Sequence, residues 1–212
     1  APLLFNEILW SIGMAAIAQC YSTRGLEAVA AMNITTTVTN LFMIVCYAMG
    51  NSISIIVGQK LGAGKEEEAK DTDIKLIVFN FLLCAGTGII LFSVAPAIPQ
   101  IYNTTEQIKY LATTLLRIAA MTIPLYSLYY GSYFTLRCGG NTLLTFLFDS
   151  FYTCIISLPI AYCLTRYTSF HIILVYLLVQ CVDIPKAIIG LTLVHKGIWI
   201  KNIVNKNELK AI

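Results

Sequence analysis

The stretch AMGNSISIIVGQKLGAGKEEEAK, residues 48–70, decides how the chain is read. An apolar, helix-compatible run ends at Ile55-Ile56-Val57, meets a glycine-punctuated turn at Gly58, Gly62 and Gly64, and gives way to charge from Lys65 onward. Glycine permits the turn, and Glu66-Glu67-Glu68-Ala69-Lys70 has the composition of a short surface helix. This is the pattern of a membrane helix leaving the bilayer. It is not a phosphate-binding loop, which needs four residues between its first two glycines and Lys-Ser/Thr at its end. Here five residues separate Gly58 from Gly64, and Glu66 follows Lys65. Gly62-Ala63-Gly64 likewise lacks the third glycine of a dinucleotide fingerprint.

Composition extends that reading to the whole chain. With 58% hydrophobic residues, 12% charged residues and a mean hydropathy of +0.76, the 212 residues are too apolar for an ordinary soluble domain. About 20 helical residues cross a hydrocarbon core of ~30 Å. Charge clusters divide the chain into six apolar segments, approximately 2–22, 30–58, 74–99, 108–136, 142–165 and 170–194. The expected fold is an all-α integral membrane protein, a bundle of six transmembrane helices over residues 1–196 with a cytoplasmic tail at 197–212.

Six crossings put both ends on one side. That side holds Lys60, Lys65, Lys70, Lys75, Arg137, Lys196, Lys201, Lys206 and Lys210, and the opposite loops hold Arg24, Lys109 and Arg166. The positive-inside rule therefore places both ends in the cytoplasm of a multi-pass cell-membrane protein. The net charge of +3 follows from topology and gives no argument for nucleic acid. The seven cysteines show no CxxC and no nearby histidine, so they read as packing residues, with no metal site or disulfide framework expected. No signal peptide is visible, and a start at Ala1 without methionine reads as a piece of a longer chain or a processed one.

Candidate functional residues are the polar groups that the bilayer makes expensive. Glu7 lies ~21 Å from the outer end of the first segment at 1.5 Å per residue, inside the hydrocarbon layer. A carboxylate there is costly unless paired, protonated or facing water, which makes it a coupling candidate. In the second segment Asn33, Thr37, Asn40, Tyr47, Asn51, Ser54 and Gly58 are spaced by 4, 3, 7, 4, 3 and 4, sharing one helix face expected to look inward. Such a stripe serves either helix packing or a cleft. The third segment reads as scaffold.

In the fourth segment Pro124 is expected to kink the helix. Tyr126, Tyr129, Tyr130 and Tyr133 follow it at i, i+3, i+4 and i+7. Their rings suit flat cations, with an attraction of ~1–2 kcal/mol when dry, although tyrosine also serves packing and interface belts. Arg117 stands two turns from the outer end, from where it can snorkel outward. Asp149 reads as an interfacial or helix-pairing group, and Pro159 as a kink. In the sixth segment Asp183 and Lys186 stand at i and i+3, where they can pair on one face, and Pro185 leaves the Cys181 carbonyl without its helical donor. Lys186 and Arg117 are the candidate partners for buried charge. His195-Lys196-Gly197-Ile198-Trp199-Ile200-Lys201 reads as an interfacial anchor.

These residues together resemble a known family. GQKLGAGKEEEAK after a polar-striped helix, LRCGGNT after a proline-kinked helix, NEILWSIG in the first helix and KGIWIKN closing the last look like the C-terminal half of a multidrug and toxic compound extrusion (MATE) transporter. The resemblance covers essentially the whole chain and implies one lobe of a twelve-helix antiporter. Such a protein exports organic cations or other amphipathic drugs in exchange for sodium or protons, with no other cofactor, and its partner here would be an N-terminal six-helix lobe. Glu7 matches the acidic position of the family's seventh helix. The tenth-helix aspartate of some subgroups has no match, since Leu125-Tyr126-Ser127-Leu128 occupies that region. That departure implies a subgroup in which coupling sits mainly on an aspartate of the N-lobe. From the residue reading and the resemblance together, the coupling candidates in this chain are Glu7 and Asp183, and the substrate-cleft candidates Asn40, Tyr47, Asn51, Tyr126, Tyr130 and Tyr133.

A lipid-linked oligosaccharide flippase of the same superfamily is the nearest alternative, but its cleft would need several cations where only Arg117 and Lys186 are intramembrane. An inert half-transporter fragment is the third reading. An intramembrane enzyme would need paired aspartates, Ser with His, or HExxH, and no such set occurs.

Overall fold

The computed structural model describes residues 2–140 and 142–200. Six long helices account for nearly all of them: α1 (Pro2–Ser22), α2 (Leu26–Gly62), α3 (Glu66–Val94), α4 (Glu106–Cys138), α5 (Leu143–Tyr167) and α6 (Ile172–His195). There is no strand among the described residues. By length and composition α2 to α6 can each cross a membrane, and α1 completes the six although Asn6 and Glu7 dilute its apolar run.

Two boundaries differ from expectation for local reasons. Residues 66–73 form the first turns of α3, not a separate surface helix. Glu66, Glu67 and Glu68 favour a helix N-terminus, and nothing between Lys70 and Ile74 breaks the helix. The helix then stops at Val94, ahead of Pro96 and Pro99, and a short 3-10 turn over Ile98–Ile101 leads onward. Gly64, at φ +73°, takes up the left-handed conformation that closes α2.

Helix α4 is the central post, packed against α2, α3 and α6, while α1 packs on α5. Pro124 lies inside it and cannot donate to the carbonyl of Ala120. Gly88 of α3 fills the resulting gap: a Cβ there would stand 2.7 Å from the Ala120 oxygen. Small residues let membrane helices approach this closely. Two π-helical turns, Leu147–Phe151 and Thr153–Ser157, widen α5 before Pro159 opens its last straight stretch. In α6 the helix is interrupted at Val182, next to Pro185.

Three expectations need correcting. Trp199 is no exposed anchor: it is 1% exposed, and its indole N–H donates to the Val194 carbonyl at 3.0 Å. The remainder of the expected tail, 201–212, lies outside the described residues. Cys46 of α2 and Cys84 of α3 are paired, with Cα atoms 6.3 Å apart, so they are more than packing residues. Last, the polar stripe of α2 turns only in part into this bundle, where Tyr47 and Asn40 border a cavity. Asn33, Thr37, Asn40 and Asn51 are exposed, because the buried face of α2 is the apolar one through Ala31, Val38, Cys46, Ile53 and Val57.

Docking of the chain after α6 depends on Gly139, where a Cβ would lie 1.9 Å from the Trp199 carbonyl oxygen. Gly139→Ala should therefore cost about 1–3 kcal/mol through overpacking against backbone. The thermal midpoint in detergent checks this, with Gly62→Ala as control because a Cβ at Gly62 meets nothing within 4 Å.

Candidate functional site

The helical spacing of the α4 tyrosines brings their rings to one side, where α2 and α6 meet them. Tyr130 stands edge-on to Tyr47 of α2, with ring centroids 4.8 Å apart and phenol oxygens 3.2 Å apart. Tyr129 and Tyr130 are separated by 4.7 Å and Tyr126 and Tyr130 by 6.4 Å between centroids. These rings wall a cavity of about 380 Å³, bordered elsewhere by Trp10 and Met14 of α1, Asn40 of α2 and Gln180, Asp183 and Lys186 of α6. The volume falls in the ordinary range for small-molecule sites, and so does the chemistry, aromatic walls with few polar groups.

The charges here form two units. Asp183 faces the cavity and accepts a hydrogen bond from the Tyr126 hydroxyl at 3.0 Å, while the same hydroxyl stands 2.6 Å from the Gln180 side-chain oxygen. Lys186 does not pair with it. Its ammonium lies 3.2 Å from Asp149 Oδ1 and 4.0 Å above the Tyr129 ring, and it is 3% exposed. Spacing on one helix suggested Asp183 as partner, but the π-helical turn of α5 carries Asp149 inward, where it also accepts from the Tyr129 hydroxyl and, at 3.2 Å, from Asn6. Ser150 anchors Asn6 in turn, donating to its carbonyl and side-chain oxygens at 2.6 and 2.7 Å. Asp149 and Asn6 are thus buried members of a network that joins α1, α4, α5 and α6. Of the two roles the sequence offers for Asp149, interfacial or helix-pairing, the structure shows the helix-pairing one, while nothing in the sequence singles out Asn6.

The remaining candidates lie elsewhere. Glu7 is half exposed, 3.4 Å from the Arg137 guanidinium and 3.3 Å from the Tyr133 hydroxyl. That places it beside the basic end of α4 and outside the cavity. Tyr133 is buried but does not line the cavity either, since its hydroxyl serves Glu7 and Asn6. Asn51 is exposed and caps the Tyr47 carbonyl of its own helix. Arg117 is no buried partner: it is exposed, 5.5 Å above the Phe92 ring. A residue missed altogether is Asp73 of α3, fully buried, which accepts from the Thr135 hydroxyl at 2.5 Å while its second oxygen has no hydrogen-bond partner. Its place in a charged run hid it. Among the described residues no three His, Cys, Asp or Glu side chains gather as a metal site would require.

Known proteins share this architecture. A crystal structure of a MATE protein in complex with MaL6 superposes with a TM-score of 0.83 over 93% of this chain and 45% of its own, at 17% identity. A MOP-superfamily transporter from Pyrococcus furiosus, described by a binding pocket of reversed polarity, gives 0.84 over 93% and 44%, at 18% identity. The "Probable multidrug resistance protein YoeA" of Bacillus subtilis is 23% identical over 81% of this chain and 37% of its own length. The chain therefore spans less than half of each of these relatives. The MatE family model matches residues 2–163, from α1 almost to the end of α5. A match over that many of the helices just described settles the assignment: the chain belongs to the MatE family.

Proposed function

We propose that this chain is the C-terminal six-helix lobe of a cation-coupled multidrug efflux transporter, working against an N-terminal lobe in the cell membrane with both of its own ends cytoplasmic. The observation that carries the proposal is the tyrosine-lined cavity with Asp183 on its wall, a carboxylate in no ion pair among the described residues. An amphipathic organic cation would stack on Tyr126, Tyr129 and Tyr130 and place its charge near the Asp183 carboxylate, and a sodium ion or proton would compete for the same carboxylate. Gain or loss of a cation at a carboxylate so placed is large enough to bias which way two lobes open.

The exposed polar face of α2 supports a second lobe, because Asn33, Thr37 and Asn51 turned to lipid would be costly. The flippase alternative loses ground, since Lys186 is neutralised by Asp149 and Arg117 lies outside the cavity. The test is ethidium efflux from vesicles under an imposed sodium or proton gradient, with the 212 residues alone and with a chain carrying the preceding lobe. Gradient-dependent efflux by the longer chain only is the expected result. Absence of efflux under both gradients from a well-folded long chain would sink the proposal, and efflux by the 212 residues alone would replace two lobes with a homodimer.

A further inference from the structure

The cavity wall carries one carboxylate and one ammonium, Asp183 and Lys186, with a second carboxylate, Asp149, immediately behind. Among the described residues no ion pair joins Asp183 to a cation. Lys186 is held on Asp149 at 3.2 Å and on the face of Tyr129, itself a cavity ring. Asp149 has further donors in Tyr129 and Asn6, so its charge remains hydrogen-bonded even without the lysine. The lobe therefore holds two carboxylates and fills one of them with its own tethered amine. What is left for a ligand is a single negative charge.

We propose that Lys186 is the residue that sets the charge selectivity of this cavity. By occupying Asp149 it limits the cavity to one net negative charge and favours monovalent over divalent organic cations. The geometry is that of an ammonium over a tyrosine ring, the same contact a bound organic cation would make, so Lys186 also stands where a second positive group of a ligand would sit. Without it, Asp149 and the Tyr129 face would become a second cation subsite beside Asp183. The inference rests on reading the cavity as a cation site, and the test separates the two.

Ethidium and propidium share one ring system and differ by an added quaternary ammonium, so the ratio of their affinities reports charge preference at nearly constant shape. Binding of both to the purified full chain is measured at pH 8 by fluorescence for the wild type, Lys186→Met and Asp149→Asn/Lys186→Met. The wild type should favour ethidium. Lys186→Met should move the ratio toward propidium by about tenfold or more, as expected for one added charge within a few ångströms in a poorly screened site. The double variant, which removes the second carboxylate as well, should return the ratio to the wild-type side. A ratio unchanged in Lys186→Met overturns the inference while leaving the cation site standing. Should Lys186→Met fail to fold, the double variant, with no unpaired charge, still decides: a shift of its ratio toward propidium overturns the inference. A wild type that binds neither dye removes the cation reading and the inference with it.

Discussion

Asp183→Asn, made in the full-length chain, should lower gradient-driven ethidium efflux at least ~tenfold with expression and folding retained. The asparagine keeps the shape and can still accept from the Tyr126 hydroxyl, so the change isolates charge. Asp149 and Lys186 already cancel one another, and among the described residues no other ionisable side chain lines the cavity apart from phenols, so this single substitution removes the charge that remains there. A unit charge acting over ~4 Å at an effective dielectric constant near 20 amounts to about 4 kcal/mol, and the tenfold floor asks for only about 1.4 kcal/mol of it. Glu7→Gln is the informative companion. Glu7 is 49% exposed at its side chain and satisfied by Arg137, so a smaller effect is expected there. Normal efflux from Asp183→Asn would remove Asp183 from the coupling path, and a larger loss from Glu7→Gln would return that role to the position the family resemblance had favoured.

The contrast between those two carboxylates shows what a sequence of this kind carries and what it withholds. The six helices were legible because a hydrocarbon layer imposes a length and an apolarity that must be written in consecutive residues, and helices α2 to α6 satisfy both. The tyrosine face of α4 was legible for a similar reason: i, i+3, i+4 and i+7 define one side of a regular helix, and Tyr126 and Tyr130 do line the cavity. Depth and direction were not. Glu7 is held at the Arg137 end of α4 by a contact 130 residues away in sequence, which no periodicity encodes. The stripe on α2 was rightly seen as one face, but whether that face meets this bundle or another depends on which opposite face packs better.

Asp149 reads from the sequence as an interfacial or helix-pairing group, and what periodicity does not name is its partner, Lys186. In a regular α5 its direction follows from a 3.6-residue period, but Asp149 lies within the π-helical turn Leu147–Phe151, which departs from that period and re-aims its side chains. The rotation brings Asp149 to Lys186, and the i, i+3 pairing of Asp183 with Lys186 gives way to a pair between α5 and α6. Local spacing states which partners are possible. Burial then chose the one that satisfies more donors.

That choice has a stability consequence. Asp149→Ala should be among the most destabilising single substitutions in the lobe, costing about 3–5 kcal/mol, because it strands a buried ammonium as well as removing hydrogen bonds. Three donors lose their acceptor at once: Lys186 at 3.2 Å, the Tyr129 hydroxyl and the Asn6 amide at 3.2 Å. Lys186→Met alone should cost less, since Asp149 keeps two of those donors. Asp149→Ala/Lys186→Met should recover much of the loss, because an apolar replacement of both partners leaves no uncompensated charge. Unfolding in detergent for the wild type, both single variants and the double variant closes the cycle, and a coupling of about 2 kcal/mol or more is expected for groups in direct contact. Additive losses would mean that Lys186 and Asp149 do not stabilise one another. The charge balance assigned to the cavity would then have to be redrawn with Asp183 and Asp149 both unopposed.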